Sequence, residues 1–526
     1  MYQTIFVAPI PMIHKPKIAI PIFLGILLLF CCVYYNVHIT RLPYGIHEWA
    51  QADRYALALG YYENGMNFFK PSTLSLYSDG GISGVEFPIQ SYIAAALAFI
   101  FGKENISVLF RLENTVIACT GLFFLFLTML RQTRNFFVSL VPPLFIFCSP
   151  VFIFYACNYL SDCAAASLAF VSFYYLFRFW DDSRARNIFW VLFWLTIATL
   201  LKTSAAVYLL SILGWILWLF IFKRNQFSRR QWGFLFCAMV ASIALPIAQF
   251  LYIRYLNEIY HSSLFLTRAL PFENWDDFYT YINVSFKYQW YDQYFVLPQY
   301  LVFVVIVVAA IPLLNRLKSF LQLRIILWLF LLGSLSMAAL LGHNLHVHDY
   351  YIIAIFFPLV AFTLMVSIMA LTTLATTKDA KKALQLAALS SVIITFLIAV
   401  HANYLRTEKT YRENPDNYSS SWMRNGAEML NRLAIPQNAR ILVLHEYPCN
   451  IGQVYFDRKG YNIPPPEWDE GSDLSKIVAF MKERQVQILV VREASARSYL
   501  QQDSLKFQAF QELKMEDGKA IFRLKE

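Results

Sequence analysis

The chain has 526 residues, of which 58% are apolar or aromatic and 15% are charged, and its formal net charge is +10. A typical soluble domain is about 25% charged, so this composition excludes a soluble globular enzyme and a disordered chain. The apolar residues fall in runs of about 18–24, the length that spans a bilayer as helix. An outer-membrane barrel, with alternating strands of about ten residues, is therefore also excluded. The sequence predicts a polytopic α-helical membrane protein.

About eleven transmembrane helices are predicted from these runs. The first run lacks a small-residue cleavage site, which favours an uncleaved span over a signal peptide. Only Lys202–Thr203 separates the fifth run from the sixth, so one broken helix pair is an alternative there. The predicted spans are residues 18–38, 107–130, 135–156, 160–179, 187–201, 203–222, 232–256, 296–314, 324–342, 350–371 and 384–403.

The basic residues indicate the orientation of the spans. One alternating set of loops carries 17 Lys and Arg side chains, whereas the opposite short turns carry one, at Lys202. By the positive-inside rule the N-terminus is cytoplasmic, and an odd number of spans places everything after Asn403 outside. The positive charge therefore sets topology, and no nucleic-acid partner is predicted. The outer face then holds a long first loop (residues 39–106), a second loop (Asn257–Phe295) and residues 404–526.

Residues 404–526 predict a small α/β periplasmic domain that follows a membrane module, residues 1–403. Ala439–His445 and Val486–Arg492 are short apolar runs typical of strands, and Leu474–Gln485 reads as an amphipathic helix. Asp517–Gly518 predicts a hairpin turn near the end of the chain. No glycine-rich phosphate-binding motif is present, so the sequence gives no support for nucleotide binding in this domain.

The first outer loop carries the most informative ionisable residues. Residues Ala50–Asn64 have a helical pattern, and Glu48, Asp53 and Arg54 cluster at the start of this helix, beside His47. A carboxyl group held in apolar surroundings has a raised pKa and can act as a general base. The alternative is that Glu48 and Asp53 only complement the dipole of the helix N-terminus.

A second apolar helix of this loop, Ile89–Phe101, opens after Glu86-Phe-Pro88. Its ends are too polar for a span, as are those of the helix over Ala50–Asn64. Both helices are therefore predicted to lie along the membrane surface.

These loop segments resemble the first periplasmic loop of bacterial GT-C glycosyltransferases. The similarity is to the family 39 and family 83 type, which is related to protein O-mannosyltransferases and to the lipid A aminoarabinose transferase. Three further segments match that pattern in the same order, so the resemblance extends over nearly the whole chain. The matching segments are His47-Glu-Trp-Ala-Gln-Ala-Asp53, Glu86-Phe-Pro88, Leu160-Ser-Asp162, Leu200-Leu-Lys-Thr203 and His348-Asp-Tyr-Tyr351.

The resemblance implies transfer of a sugar from a polyprenyl-phosphate donor to a lipid, glycan or protein acceptor. The reaction would occur at the periplasmic face of the bacterial inner membrane, within a GT-C bundle. Asp53 would activate the acceptor, with Glu48 as its rival, and Glu86 would orient the acceptor or the base. The implied substrate-binding residues are His47, Arg54, Asp162, Lys202, His348 and Tyr351, of which Lys202 and His348 would meet the donor phosphate and Tyr351 would hydrogen-bond it.

Simpler interpretations of some of these residues stay open. Lys202 at a span end could be a snorkelling side chain, and Asp162 could be a polar boundary residue. Phe87 stands where aminoarabinose-type enzymes have a Lys, so Arg54 or Arg111 could supply that phosphate ligand instead. Ala50 also replaces an Arg that is common in the most similar sequences of this type.

No cofactor and no metal ligand is assigned. The His343-x-x-His346-x-His348 spacing leaves a divalent cation as an alternative, although no carboxylate or Cys set completes a known metal spacing.

Two other functions compete with glycosyl transfer. A transporter or flippase of lipid-linked sugars would place ionisable groups at mid-span, often in repeats, whereas here the acids lie at span ends. A non-catalytic membrane protein that binds glycans would not need a set of outer-face carboxylates.

Overall fold

The computed structural model of the protein describes residues 16–36, 38–265, 269–345, 347–375, 377–404, 418–446, 449–463, 474–502 and 506–525. The membrane-spanning part and the outer loops contain helices α1 (Pro16–Tyr35), α2 (Glu48–Glu63), α3 (Ile89–Phe101), α4 (Ile106–Thr133), α5 (Phe136–Phe147), α6 (Pro150–Ala156), α7 (Asp162–Asp182), α8 (Ala185–Leu201), α9 (Ala206–Phe222), α10 (Arg229–Ile259), α11 (Trp275–Ser285), α12 (Leu297–Arg316), α13 (Leu321–Leu340), α14 (Gly342–Leu345), α15 (Tyr351–Thr372) and α16 (Lys378–Tyr404). The C-terminal part contains α17 (Ser419–Met423), α18 (Gly426–Arg432), β1 (Ile441–Leu444), α19 (Ile451–Phe456), β2 (Gly460–Ile463), α20 (Leu474–Glu483), β3 (Ile488–Arg492), α21 (Glu493–Gln502), β4 (Phe510–Glu516) and β5 (Lys519–Leu524).

The described helices confirm a polytopic membrane protein. Nine of them are long and apolar enough to cross a membrane, and the bent pair of α5 and α6 makes a tenth. The remaining predicted span corresponds to α8, which has 17 residues. A helix of that length extends about 25 Å, slightly less than a typical hydrocarbon core. The prediction of about eleven spans is thus close to the nine or ten found by length and composition.

The predicted span over residues 135–156 is broken in the structure. The Ser149 hydroxyl accepts a hydrogen bond from the Phe152 N–H, and Pro150 occupies the first position of α6. A capping Ser followed by Pro favours the start of a new helix over continuation of the old one. As a result, α5 and α6 are bent by 76° relative to each other.

The second outer loop is more helical than the sequence analysis indicated. The segment expected as a loop from Asn257 contains α11 and a π-helix, Phe286–Tyr294. The Asn274 side chain caps α11 by accepting a hydrogen bond from the Asp277 N–H, and Asp276 and Asp277 lie in its first turn. An Asn cap and acidic residues at a helix start are both stabilising.

The chain divides into two compact units. One comprises Met1–Ile39, Arg111–Phe250 and Arg268–Arg406 and contains most of the spans. The other comprises Thr40–Phe110, Leu251–Thr267 and Thr407–Glu526, so it groups the first outer loop with the C-terminal residues. That residues 404–526 fold as a domain of their own stays a prediction.

The C-terminal residues of the second unit form a five-stranded sheet of order β2-β1-β3-β5-β4. β1 pairs in parallel with β2 and β3, while β5 runs antiparallel to β3 and β4. The β4–β5 turn has positive φ at Asp517 (52°) and Gly518 (75°), as a type I′ hairpin requires. The predicted strands and hairpin are confirmed, whereas the sequence analysis did not identify β2.

A segment of the first outer loop pairs with the edge strand β2. Ser75 bridges Gly460 in parallel, and the Gly460 N–H donates to the Leu74 carbonyl at 3.1 Å. The Leu76 N–H donates to the Gly460 carbonyl at 2.9 Å. A Cβ at Gly460 would lie 1.9 Å from the Ile441 carbonyl oxygen, so only glycine fits this position. The loop thus covers a sheet edge that would otherwise be open to other strands.

The orientation of the spans stays a prediction from the loop charges. A reporter that is active only outside the cytoplasm should be active when fused after Asn403 and inactive when fused after Lys382. A reporter that is active only inside should give the reverse pattern. Finding the Asn403 fusion in the cytoplasm would contradict the predicted topology and would place Asp53 and His348 on faces other than those assigned here.

Candidate functional site

The start of α2 presents the first group of predicted site residues. His47 precedes the helix with a left-handed backbone (φ 53°), and its ring lies edge-on to Trp49 at 6.3 Å between centroids. Glu48 is buried, and each of its carboxylate oxygens lies 3.3 Å from the Ser420 N–H that donates to it. Glu48 is therefore held by the backbone of α17 within the same unit.

Asp53 lies five residues further along α2, which places it about 140° around the helix from Glu48. The Asn450 side-chain amide donates to Asp53 Oδ1 at 2.8 Å. Burial raises the pKa of Asp53 to about 6, and the Asn450 hydrogen bond and the Arg54 charge act in the opposite direction. A carboxyl group with a pKa near 6 is well matched to accept a proton at neutral pH.

Arg54 and Glu86 form an ion pair in the same unit. The guanidinium Nη2 donates to Glu86 Oε2 at 2.7 Å, and the two side chains are 13% and 22% exposed. The guanidinium also lies 5.6 Å from the centroid of the Phe265 ring. Arg54 thus contacts both a carboxylate and an aromatic ring. Its ion pair holds Glu86 next to Arg54, the residue that follows Asp53 in the sequence.

The second group of predicted residues lies in the other unit, around Lys202. Its Nζ is 3.5 Å from Asp162 Oδ2, and the two side chains are 9% and 1% exposed. Lys202 directly follows α8 and Asp162 begins α7, two helices that pack against each other. The ammonium also lies 4.6 Å from the ring centroid of Tyr351 and 5.6 Å from that of Tyr350. A carboxylate and two aromatic faces together stabilise the buried cation.

His348 completes this group. Its ring is edge-on to the Tyr351 ring at 5.3 Å between centroids, and its carbonyl accepts a hydrogen bond from the Tyr351 N–H at 3.1 Å. The structure therefore brings together the four residues predicted on this side, namely Asp162, Lys202, His348 and Tyr351.

Three residues near these groups were missed by the sequence analysis. Asp349 is 2% exposed, and its Oδ1 accepts a hydrogen bond from the Tyr155 hydroxyl at 2.8 Å. The sequence pointed to Asp349 only through its position inside the matching segment His348-Asp-Tyr-Tyr351. Ser420 and Asn450 carried no signal at all, because each is more than 370 positions away from its partner on α2.

Arg111, an alternative phosphate ligand in the sequence analysis, has other partners. It is 1% exposed and donates to the Cys157 carbonyl at 2.6 Å and to the Tyr159 hydroxyl at 3.1 Å. These bonds hold the turn that leads into α7.

The metal alternative concerns the three histidines near the end of α13. His346 lies outside the described residues, and the His343 side chain is not described either. Among the described residues, no group of three His, Cys, Asp or Glu side chains could hold a metal ion. A divalent cation at this spacing therefore stays an untested alternative.

Comparison with known proteins shows similarity at the level of structure. No family model and no curated protein matches the sequence. The crystal structure of ArnT from Cupriavidus metallidurans in the apo state is 8% identical with a TM-score of 0.57, covering 96% of this chain and 98% of that chain. The structure of ArnT from the same organism bound to undecaprenyl phosphate is 9% identical with a TM-score of 0.57, covering 96% of this chain and 97% of that chain. At these identities the likeness is one of fold, and it confirms the GT-C fold predicted from the sequence.

Proposed function

We propose that the protein transfers a sugar from a polyprenyl-phosphate donor to a lipid, glycan or protein acceptor at the periplasmic face of the bacterial inner membrane. The observation that carries the proposal is the similarity of fold to ArnT over 96% of this chain, at a TM-score of 0.57, and that protein was also crystallised with undecaprenyl phosphate. The two groups of residues also support it, since one holds a carboxyl group whose pKa burial raises to about 6 and the other holds a buried cation.

The proposed chemistry is a displacement at the anomeric carbon of the donor sugar. An acceptor hydroxyl gives its proton to a carboxylate while its oxygen bonds to the anomeric carbon. The bond between that carbon and the phosphate oxygen breaks, and polyprenyl phosphate leaves with one more negative charge than it carried as a diester. A cation at the phosphate stabilises the charge that develops on the leaving group.

Asp53 fits the role of the base better than Glu48 does. Burial raises the pKa of Asp53 to about 6, and Asp53 nevertheless keeps more exposed surface than Glu48. Glu48, in contrast, is 6% exposed and receives the Ser420 backbone N–H on both oxygens. A buried carboxylate held by a backbone donor is more suited to fixing the α17 segment than to receiving a proton from a substrate.

Lys202 fits the role of the phosphate-binding cation. Its amine has a fixed position because Asp162 and the Tyr351 ring hold it, and an ammonium point charge is a common ligand for phosphate. Arg54 fits less well, since its guanidinium already pairs with Glu86 at 2.7 Å.

A transfer assay with the purified protein in lipid nanodiscs tests the proposal. Polyprenyl-phosphate sugars carrying a labelled sugar are supplied with candidate acceptors, and release of polyprenyl phosphate is measured alongside labelled product. We expect release that depends on the acceptor. Movement of intact donor between the leaflets of a vesicle would instead support a flippase, and glycan binding without donor cleavage would support a non-catalytic role.

The pH dependence of transfer follows from the raised pKa of Asp53. The base must be ionised, so kcat/KM should be low below pH 6 and should rise through a midpoint near pH 6 as Asp53 loses its proton. The measurement is initial rate against pH at low donor concentration. A midpoint near 4, the usual range for an exposed Asp, would contradict the assignment of Asp53 as the base.

A further inference from the structure

We propose that Asn450, in the C-terminal part of the chain, is the positioning residue of the catalytic carboxylate Asp53. Its amide fixes one carboxylate oxygen and leaves the other for the acceptor. This inference rests on the proposed function for its catalytic meaning, whereas the contact itself lies within one compact unit. Asn450 would thus act through Asp53 and not on the substrate.

The orientation of the Asn450 amide is set by a second hydrogen bond. The Ser75 N–H donates to Asn450 Oδ1 at 3.1 Å, so that oxygen faces the first outer loop. The amide nitrogen must then face the other way, where it donates to Asp53 Oδ1 at 2.8 Å. Asn450 is 0% exposed, so water does not compete with either bond. A backbone N–H can only donate a hydrogen bond, so the atom that faces the Ser75 N–H must be the amide oxygen. This contact therefore selects one of the two possible orientations of the Asn450 amide.

Among the described residues of α19 and the turn before it, Asn450 makes the hydrogen bond to Asp53. The ionisable groups on or just before the two helices packed against α2 are Glu86, Tyr92, Cys449 and Tyr455. Glu86 is paired with Arg54, and burial, together with the nearby Asp53 charge, raises the pKa of the Cys449 thiol. The amide donor is therefore the group whose removal should change the titration of Asp53 most directly.

The test measures the titration of Asp53 without relying on activity. Protonated carboxyl groups react with a carbodiimide, so the fraction of Asp53 modified at each pH, read by mass spectrometry, gives its midpoint. The parent should titrate near pH 6. Asn450→Ala removes a donor to the charged form and should raise the midpoint by about 1–2 pH units. Asn450→Asp keeps the acceptor for the Ser75 N–H but adds a like charge, so its midpoint should rise at least as far.

The matched control is Asn462→Ala. Asn462 is 2% exposed in the same unit, and its amide donates to the Glu446 carbonyl at 2.6 Å instead of to a carboxylate. In Asn462→Ala, the labelling midpoint of Asp53 should equal that of the parent. An unchanged midpoint in Asn450→Asp, the variant that keeps the Ser75 bond, would overturn the proposal.

Parallel kinetics separate this inference from the proposed function. In the transfer assay, the acid limb of kcat/KM should move with the labelling midpoint while the KM for the donor stays within about twofold of the parent. A shifted labelling midpoint in the Asn450 variants, together with no transfer activity in the parent protein, would refute the proposed function and still support the positioning of Asp53. A lowered kcat with an unmoved acid limb and an unmoved labelling midpoint would indicate a merely structural role.

Discussion

Replacing Asp53 with Asn should lower the turnover number by about 10²–10⁴-fold, the range that loss of a general base produces. The substitution keeps the size of the side chain and an oxygen that accepts the Asn450 amide hydrogen, so the start of α2 should retain its structure. Donor binding should be unchanged, because the proposed phosphate ligand, Lys202, lies at the end of α8 and not on α2. The measurement is kcat in the transfer assay, with donor affinity determined separately.

Two further acids give the controls for this result. Glu48→Gln should cost thermal stability more than turnover, because Glu48 is buried and accepts the Ser420 N–H. Asp79→Asn changes an exposed acid of the same loop and should leave the turnover number within about twofold. Near-normal turnover of Asp53→Asn together with an inactive Glu48→Gln would show that the choice between the two acids was wrong.

Replacing Lys202 with Ala should weaken binding of the polyprenyl-phosphate donor by tenfold or more. A charge-assisted hydrogen bond at a partly desolvated phosphate contributes about 1.5–3 kcal/mol, and Lys202 is 7% exposed as a residue. The affinity for the acceptor should change little. The measurement is equilibrium binding of undecaprenyl phosphate, with undecaprenol as the ligand that lacks the phosphate.

The controls for Lys202 separate the loss of charge from the loss of packing. Lys202→Arg keeps the positive charge and should bind undecaprenyl phosphate more tightly than Lys202→Ala does. Lys223→Ala removes an exposed cation at the end of another span and should bind like the parent. If Lys202→Ala and His348→Ala both bind the donor like the parent, the phosphate binds elsewhere, and Arg54 is the next residue to test.

Much of the fold could be predicted because its signals are local. The apolar run that became α15 needs only its length to indicate a span, and Asp517–Gly518 needs only its two residues to indicate a hairpin. The strand β2 was missed because Gly460–Ile463 has only four residues and begins with a glycine, so the run is too short for its pattern to indicate a strand. The break at Ser149 was missed because the apolar run continues across it.

The candidate site could be predicted only in part, for a different physical reason. Asp53 and Lys202 lie in segments whose sequence resembles a known pattern, so they could be named in advance. Their partners depend on tertiary contacts: the Asn450 amide reaches Asp53 across 397 positions, and the Tyr155 hydroxyl reaches Asp349 across 194. No local pattern in one sequence encodes a pairing over such distances.

The hydrogen bond between Asn450 and Asp53 also sets the earliest time during synthesis at which the proposed base could be complete. Chains are synthesised at about 5–20 residues per second, so the 397 positions between these residues correspond to roughly 20–80 s of synthesis. During that interval α2 has been made, but its carboxylate lacks the amide that fixes it. A nascent or prematurely ended chain would therefore carry the membrane helices without the proposed positioning contact, and the last fifth of the chain decides when the proposed base could act.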